Sequence, residues 1–262
     1  MMRVAICMSG QLRLWDYGKE NQKWFWTSLN RDEYEVDYFT HTWNYSQDRA
    51  GVSQPYNSRE ITDDEYSSFL EHYKPKKAII DDKPVTFFYD NDHWSSLFYS
   101  LGQSLLLKQQ YELENNFKYD LVIKTRPDIV FSPTYHAHIL DNLFDGQLVT
   151  THGGVMESEF HHINFNDCVF YGNSYTMDLL TNLYFYRQKI IHPNVEWRGY
   201  RNPGPLGPGV LMHDFFREYG ITPYFATGWI ETILKEGVPR VDLFDSVEFN
   251  KVENYFRNWY TK

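Results

Sequence analysis

Three cations and one carboxylate stand out for the chemistry they could perform together. Arg13 follows a Ser9-Gly10-Gln11 turn, and Lys124, Arg126 and Asp128 lie close together in sequence. Cations beside a small-residue turn suit a diphosphate, because guanidinium groups pair bidentately with phosphate oxygens. Asp128 beside them suits a divalent cation or a sugar hydroxyl. Plainer readings stay open: an internal Arg126–Asp128 ion pair, and an ordinary turn at Ser9-Gly10. Two further polar clusters, His41-Thr42-Trp43 and His152-Gly153-Gly154, also follow short apolar runs. Other chemistries find less support. His161-His162 and the His136/His138 pair lack partners at zinc-site spacing and read as surface or polar-core histidines. No Walker A, G-x-G-x-x-G or G-x-S-x-G motif is present. A Ser–His nucleophile is set by space rather than spacing, so it stays open.

The elements that must hold these residues follow from hydrophobic patterning. Arg3 to Met8 reads as a buried strand, ended by Ser9-Gly10. A helix is expected over 16–30, a second strand over Val36 to Thr42, and a loop over 46–60. Thr62 with Glu65 forms a capping box that opens a helix to about His72. Ala78-Ile79-Ile80 is a third strand. Residues 95–116 form the strongest helix, with Leu97, Leu101 and Leu105 on one stripe that Phe98 and Leu106 widen. Ser95 suits its N-cap. Gly102, unfavourable inside a helix, points to close packing.

Asp120 to Lys124 is a fourth strand, with Arg126-Pro127-Asp128 at its end. Pro127 weakens regular pairing there, and Ile129-Val130-Phe131 continues the extended chain. Gln147 to Thr151 and Cys168 to Tyr171 are further strands. A helix over 176–187, a loop over 192–209 containing NPGPLGPG, a helix over 210–219 and a short strand near Tyr224 follow. In an open α/β sheet, ligands sit beyond the carboxyl ends of the strands. That rule gathers the polar clusters at one edge.

The whole composition narrows the choice. The chain has 262 residues, 25 Lys+Arg against 35 Asp+Glu, and a net charge of −10. That balance argues against nucleic acid or a membrane surface as partner. No apolar run approaches a membrane span, and the opening apolar run is too short for a signal peptide. A cytoplasmic protein with reduced thiols follows, with Cys7 and Cys168 as core packing. Asn44-Tyr45-Ser46 matches a glycosylation acceptor, which that location makes irrelevant. Aromatic residues make up 18% of the chain. They fill a core or stack on sugars and bases. No repeat or disordered linker divides the chain, so a single α/β domain is expected, with a mixed, mainly parallel, Rossmann-like sheet flanked by helices.

Four stretches in this order carry a resemblance. They are Cys7-Met8-Ser9-Gly10-Gln11-Leu12-Arg13, Thr40-His41-Thr42-Trp43, Ser96-Leu97-Phe98-Tyr99-Ser100, and Tyr119 through Asp128 (YDLVIKTRPD). Together they resemble the GT-A-like glycosyltransferase family found among capsule, lipopolysaccharide and viral sugar-modification genes. Its members begin with an SGQxR turn and carry HTW and YDxxIRxRPD. Asp167 to Gly172 (DCVFYG) is similar to the family's DxFxYG strand. The likeness spans about residues 1–190, and the C-terminal third matches poorly.

The resemblance implies a GT-A-type fold in which residues 1–131 bind a nucleotide-sugar and residues 132–262 face the acceptor. The donor contacts it implies are Ser9, Gly10, Gln11, Arg13, His41, Thr42, Trp43, Tyr99, Lys124 and Arg126. It implies a glycan, a lipid-linked sugar or another hydroxyl compound as acceptor. Such enzymes usually hold Mn or Mg with an Asp-x-Asp motif, where the metal neutralises the departing diphosphate. Here that place reads Arg126-Pro127-Asp128. One version keeps Asp128 as a metal ligand, with His213 as a second. The other uses Arg13, Lys124 and Arg126 without metal. In either version Asp128 is expected to contact the donor as a catalytic residue. Asp167 is the expected base for an inverting transfer, with Glu157 and Glu159 behind it. The NPGPLGPG loop is either a lid or a rigid connection. The alternative function is a noncatalytic carbohydrate- or nucleotide-binding module on the same fold.

Overall fold

The computed structural model describes residues 1–27, 34–49, 56–82, 93–131, 143–150, 153–155, 163–165, 168–191, 196–197, 200–201, 208–225 and 231–233. Seven strands build one sheet: β1 (Met2–Gly10), β2 (Tyr34–Trp43), β3 (Lys77–Asp81), β4 (Leu121–Thr125), β5 (Gln147–Thr150), β6 (Phe170–Gly172) and β7 (Thr222–Phe225). Their order across the sheet is β3-β2-β1-β4-β6-β5-β7. β1 lies parallel to both β2 and β4, β3 parallel to β2, and β7 parallel to β5, while β6 runs antiparallel between β4 and β5. This is the mixed, mainly parallel α/β sheet expected from the sequence. The chain reverses its direction of travel across the sheet between β1 and β4, and such a switch point opens a crevice at the strands' carboxyl ends.

Helices cover both faces. α1 (Trp15–Thr27) and α2 (Asp63–Tyr73) lie on one. There Trp15, Phe25, Phe69 and Tyr73 pack on Val4, Ile6, Met8, Leu121 and Ile123. α3 (His93–Asn115), α4 (Ser174–Leu179), α5 (Leu183–Ile191) and α6 (Pro208–Glu218) cover the other. There Phe98, Leu101, Leu105, Met177, Leu183 and Phe215 pack on Ala5, Cys7, Phe39 and Val122. The strict alternation along β1 and β4 feeds both cores at once, as a sheet buried on two faces requires. Cys7 and Cys168 are both buried free thiols, as expected, and burial pushes the Cys7 thiol far above its ordinary range.

Local chemistry places the helix ends. Thr62 caps α2 by accepting from the Glu65 N–H, while the Glu65 carboxylate reaches back to the Thr62 N–H. Gly102 of α3 packs closely: a Cβ there would lie 3.4 Å from the Thr181 carbonyl oxygen. Five expectations need correction. The stretch expected as a loop over 46–60 holds two antiparallel strands, Tyr45–Arg49 and Tyr56–Glu60, whose backbone groups pair with each other despite their polar side chains. Ser95 lies inside α3, where its hydroxyl accepts from Arg187 Nε (3.3 Å) and Gln188 Nε2 (2.8 Å) instead of capping. Leu106 is exposed, and Leu107 takes the buried position, because the stripe drifts around a helix with 3.6 residues per turn. The single helix expected over 176–187 is α4 and α5, divided by a 3₁₀ turn at Leu180–Asn182. Pro208 and Gly209 open α6 and do not belong to a loop, because a first-turn proline gives up no helical hydrogen bond.

A buried polar network pins α3 to α4. Lys108 of α3, fully buried, donates to Glu112 (3.1 Å), Ser174 (2.6 Å) and Asp178. Lys118 bridges the same two carboxylates, and the Tyr119 N–H donates to Glu112 at 2.9 Å. Among the described residues, no helix is long and apolar enough to cross a membrane.

Candidate functional site

The turns that leave β1 and β4 meet at the switch point. β1 ends at Gly10, whose φ of +124° lies in a region that side chains rarely adopt. The chain then turns through Arg13 into α1. β4 ends at Thr125, and Arg126-Pro127-Asp128 turns the chain into Ile129–Phe131, which pairs antiparallel with Glu231–Ile233. Here both arginines close on Asp128. Arg126 donates from Nε to Oδ1 (2.8 Å) and from Nη2 to Oδ2 (2.8 Å). Arg13 donates from Nε (3.0 Å) and Nη2 (2.5 Å) to Oδ2. The Asp128 side chain is 0% exposed, against 17% for Arg13 and 13% for Arg126. Burial alone would push the carboxyl pKa up. The charges of Arg126 and then Arg13 outweigh it and hold the group at about 2.

α1 fixes this turn from behind. Gln22 donates through Nε2 toward the carbonyls of Arg126 (3.2 Å), Pro127 (2.9 Å) and Ile129 (2.7 Å). Asn21 donates to the Phe131 carbonyl (2.8 Å) and accepts from the Phe131 N–H (2.7 Å). A helical amide pair thus satisfies backbone groups of the irregular Arg126-Pro127-Asp128 turn and the strand that follows it. These positioning residues escaped the sequence reading. The one signal for them was an Asn-Gln pair four and three residues before the apolar Phe25 on the helix expected over 16–30.

A second polar group occupies the same edge, over β2 and β3. The His41 ring is fully buried, with Nδ1 2.8 Å from Ser100 Oγ and Nε2 3.0 Å from Asp81 Oδ2. Burial lowers the imidazole pKa, although Asp81 pulls the other way. A neutral ring beside an acceptor-only carboxylate places its proton on Nε2, and the Ser100 hydroxyl then donates to Nδ1. Trp43 and Tyr99 stack with centroids 5.7 Å apart, and Tyr184 meets Tyr99 edge-on. The phenol pKa of Tyr99 is raised by partial burial and then by Asp81. Ser, His and Asp therefore do come together, but Ser100 is fully buried in α3. No substrate reaches it in this arrangement, and the trio orients Asp81, which is 35% exposed.

The remaining expected residues divide. Ser9 is buried beside His41 in the β1–β2 register, and Gly10 faces Thr42. Gln11 is half-buried in the turn. Lys124 does not join the arginines. It lies beside Cys7 and Phe170 in register, is buried, donates to the Cys168 carbonyl (3.2 Å) and sits 5.3 Å from the Phe170 ring centroid. Strand alternation turns it toward the α3 face. Asp167, His152, Glu157, Glu159, His136, His138, His161 and His162 lie outside the described residues, as do residues 202–207 of the proposed lid and the side chain of His213.

Among the described residues, those around Asp128 do not fit the divalent metal that the resemblance implies. Both Asp128 oxygens already accept from guanidinium groups. Among the described residues, no group of three or more His, Cys, Asp or Glu could hold a metal ion.

No protein-family model matches the sequence, and no curated protein matches it.

Proposed function

We propose that the chain is a glycosyltransferase that moves a sugar from a nucleotide-sugar to a hydroxyl acceptor, either a glycan or a lipid-linked sugar. One observation carries this reading: Arg13 and Arg126, far apart in sequence, meet on Asp128 at the switch point of a mainly parallel sheet. Guanidinium groups in a water-poor crevice stabilise the charge that develops on a departing diphosphate. In the transfer, the acceptor oxygen bonds to the anomeric carbon. The bond from that carbon to the phosphate oxygen breaks, and its electron pair stays on the nucleotide. The hydroxyl proton passes to a carboxylate, for which the resemblance offers Asp167. The half-buried Tyr99, backed by the buried Trp43, and Asp81 held by His41 suit a flat ring that carries hydrogen-bond donors. Assembly of a surface polysaccharide by a cytoplasmic enzyme is the setting this reading favours.

A thermal-shift panel of UDP-, GDP-, CMP- and dTDP-sugars tests it. A ligand at a hundred times its Kd stabilises the native state by about 2.7 kcal/mol. At least one donor should therefore raise Tm clearly and lose its sugar to water or to an acceptor on incubation. A panel with no shift and no turnover would reject the reading. A second reading, a noncatalytic binding module, draws on the engagement of both Asp128 oxygens by arginine. It predicts a shift without turnover.

A further inference from the structure

Asp128 stands where the resemblance sets a metal-binding acidic motif, and its surroundings are those of an anion site. A divalent cation needs oxygen ligands at about 2.0–2.6 Å. Here it would have to enter between a carboxylate and two guanidinium groups that donate to both oxygens. The cation would meet two like charges at close range, which repel it most strongly where water is scarce. The order of burial points the same way. The carboxylate is 0% exposed and the arginine side chains are 17% and 13% exposed, so a ligand at this rim meets the arginine side chains before the carboxylate. Gln22 and Asn21 hold the backbone of the turn from the opposite side. The three charged side chains are thus set before any ligand arrives, and pre-organisation lowers the cost of binding.

We propose that Asp128 is a positioning residue that presents Arg13 and Arg126 to a nucleoside diphosphate, which binds without a divalent cation. The inference rests on the glycosyltransferase reading and extends it to how the leaving group is held. Calorimetric titration of the full chain with UDP, GDP, CDP and dTDP, each in EDTA and again in saturating manganese, tests it. At least one diphosphate should bind, with a Kd that differs by less than about threefold between the two conditions. Asp128→Asn should weaken the EDTA-insensitive binding by at least about tenfold, because the arginines lose their shared anchor. Arg126→Lys keeps the charge and loses the two-pronged grip. It should weaken binding in EDTA while its circular-dichroism melt stays close to wild type. Binding that appears only with manganese, or an Asp128→Asn variant that loses only a manganese-dependent increment, overturns the inference and leaves the glycosyltransferase reading standing. If no diphosphate binds in either condition, both fall together.

Discussion

Two buried titratable side chains at the rim respond to acid in separate ranges, and each reports on its own surroundings. His41 is neutral in the folded protein because burial lowers its pKa. In the unfolded chain its pKa returns to about 6.5. Between the folded value and that one, the unfolded state binds more protons, so stability falls as pH drops through the window and levels off below it. His72, also lowered by burial, acts with the same sign. Asp128 acts with the same sign in a lower range: its pKa is held at about 2 against an ordinary 3.8, so its contribution is present above the unfolded value and is lost as pH falls toward the folded one. Urea-denaturation midpoints measured from pH 7.5 to 5 should therefore decline, and His41→Gln should remove part of that slope while lowering stability throughout. A slope unchanged by His41→Gln would mean that the ring is not buried neutral. Arg13 and Asp128 were legible as candidates because their residue types announce charge chemistry. Their direct contact was not, since it joins turns 115 residues apart.

At the scale of elements, α1 does more than cover a face. Its Asn21 side chain hydrogen-bonds both the N–H and the carbonyl of Phe131, whose strand also pairs with Glu231–Ile233. Asn21→Ala removes both of these buried hydrogen bonds, at a cost of about 1–3 kcal/mol for each. The variant should lose several kcal/mol of stability by chemical denaturation and should also bind nucleoside diphosphate more weakly, because the Arg126–Asp128 turn loosens. A loss below about 1 kcal/mol would show that water or a neighbour replaces the amide. The elements whose signals are local were the readable ones. The Thr62/Glu65 spacing alone gave the start of α2, and the apolar run of β1 gave its double burial. Elements whose detail depends on distant partners were not. Ser95 looks like a cap until Arg187 and Gln188 arrive from α5. Lys124 looks like a rim cation until strand alternation turns it under Phe170. The break at Leu180–Asn182 contains neither Pro nor Gly to mark it.

Across the whole molecule, residues 1–131 and the rest of the chain share one sheet and the core packed on its α3 face. β4, buried on both faces, takes its outer ladder from β6 of the second half. On the α3 face, the first half supplies Phe98, Leu101, Leu105 and Val122. The second half supplies Phe170, Met177, Leu180, Leu183 and Phe215 to the same cluster. The buried Lys108 of α3 loses Ser174 and Asp178 if the halves part, and keeps only Glu112 beside it. Residues 1–131 alone would thus expose a hydrophobic edge strand, half of a core and a partly stripped ion cluster. Each of these favours aggregation over a stable fold. Expressed alone, that half should be insoluble or should lack a cooperative melt. The intact chain should lose its tryptophan fluorescence and far-ultraviolet circular dichroism in one coincident denaturant transition, because the β4–β6 ladder and the shared cluster leave little that can unfold separately. Two separated transitions, or a soluble and cooperatively folded 1–131 fragment that binds nucleoside diphosphate, would instead mark the donor side as an autonomous unit. The arginine–aspartate anchor would then lie wholly within it, since Arg13, Arg126 and Asp128 all precede residue 131.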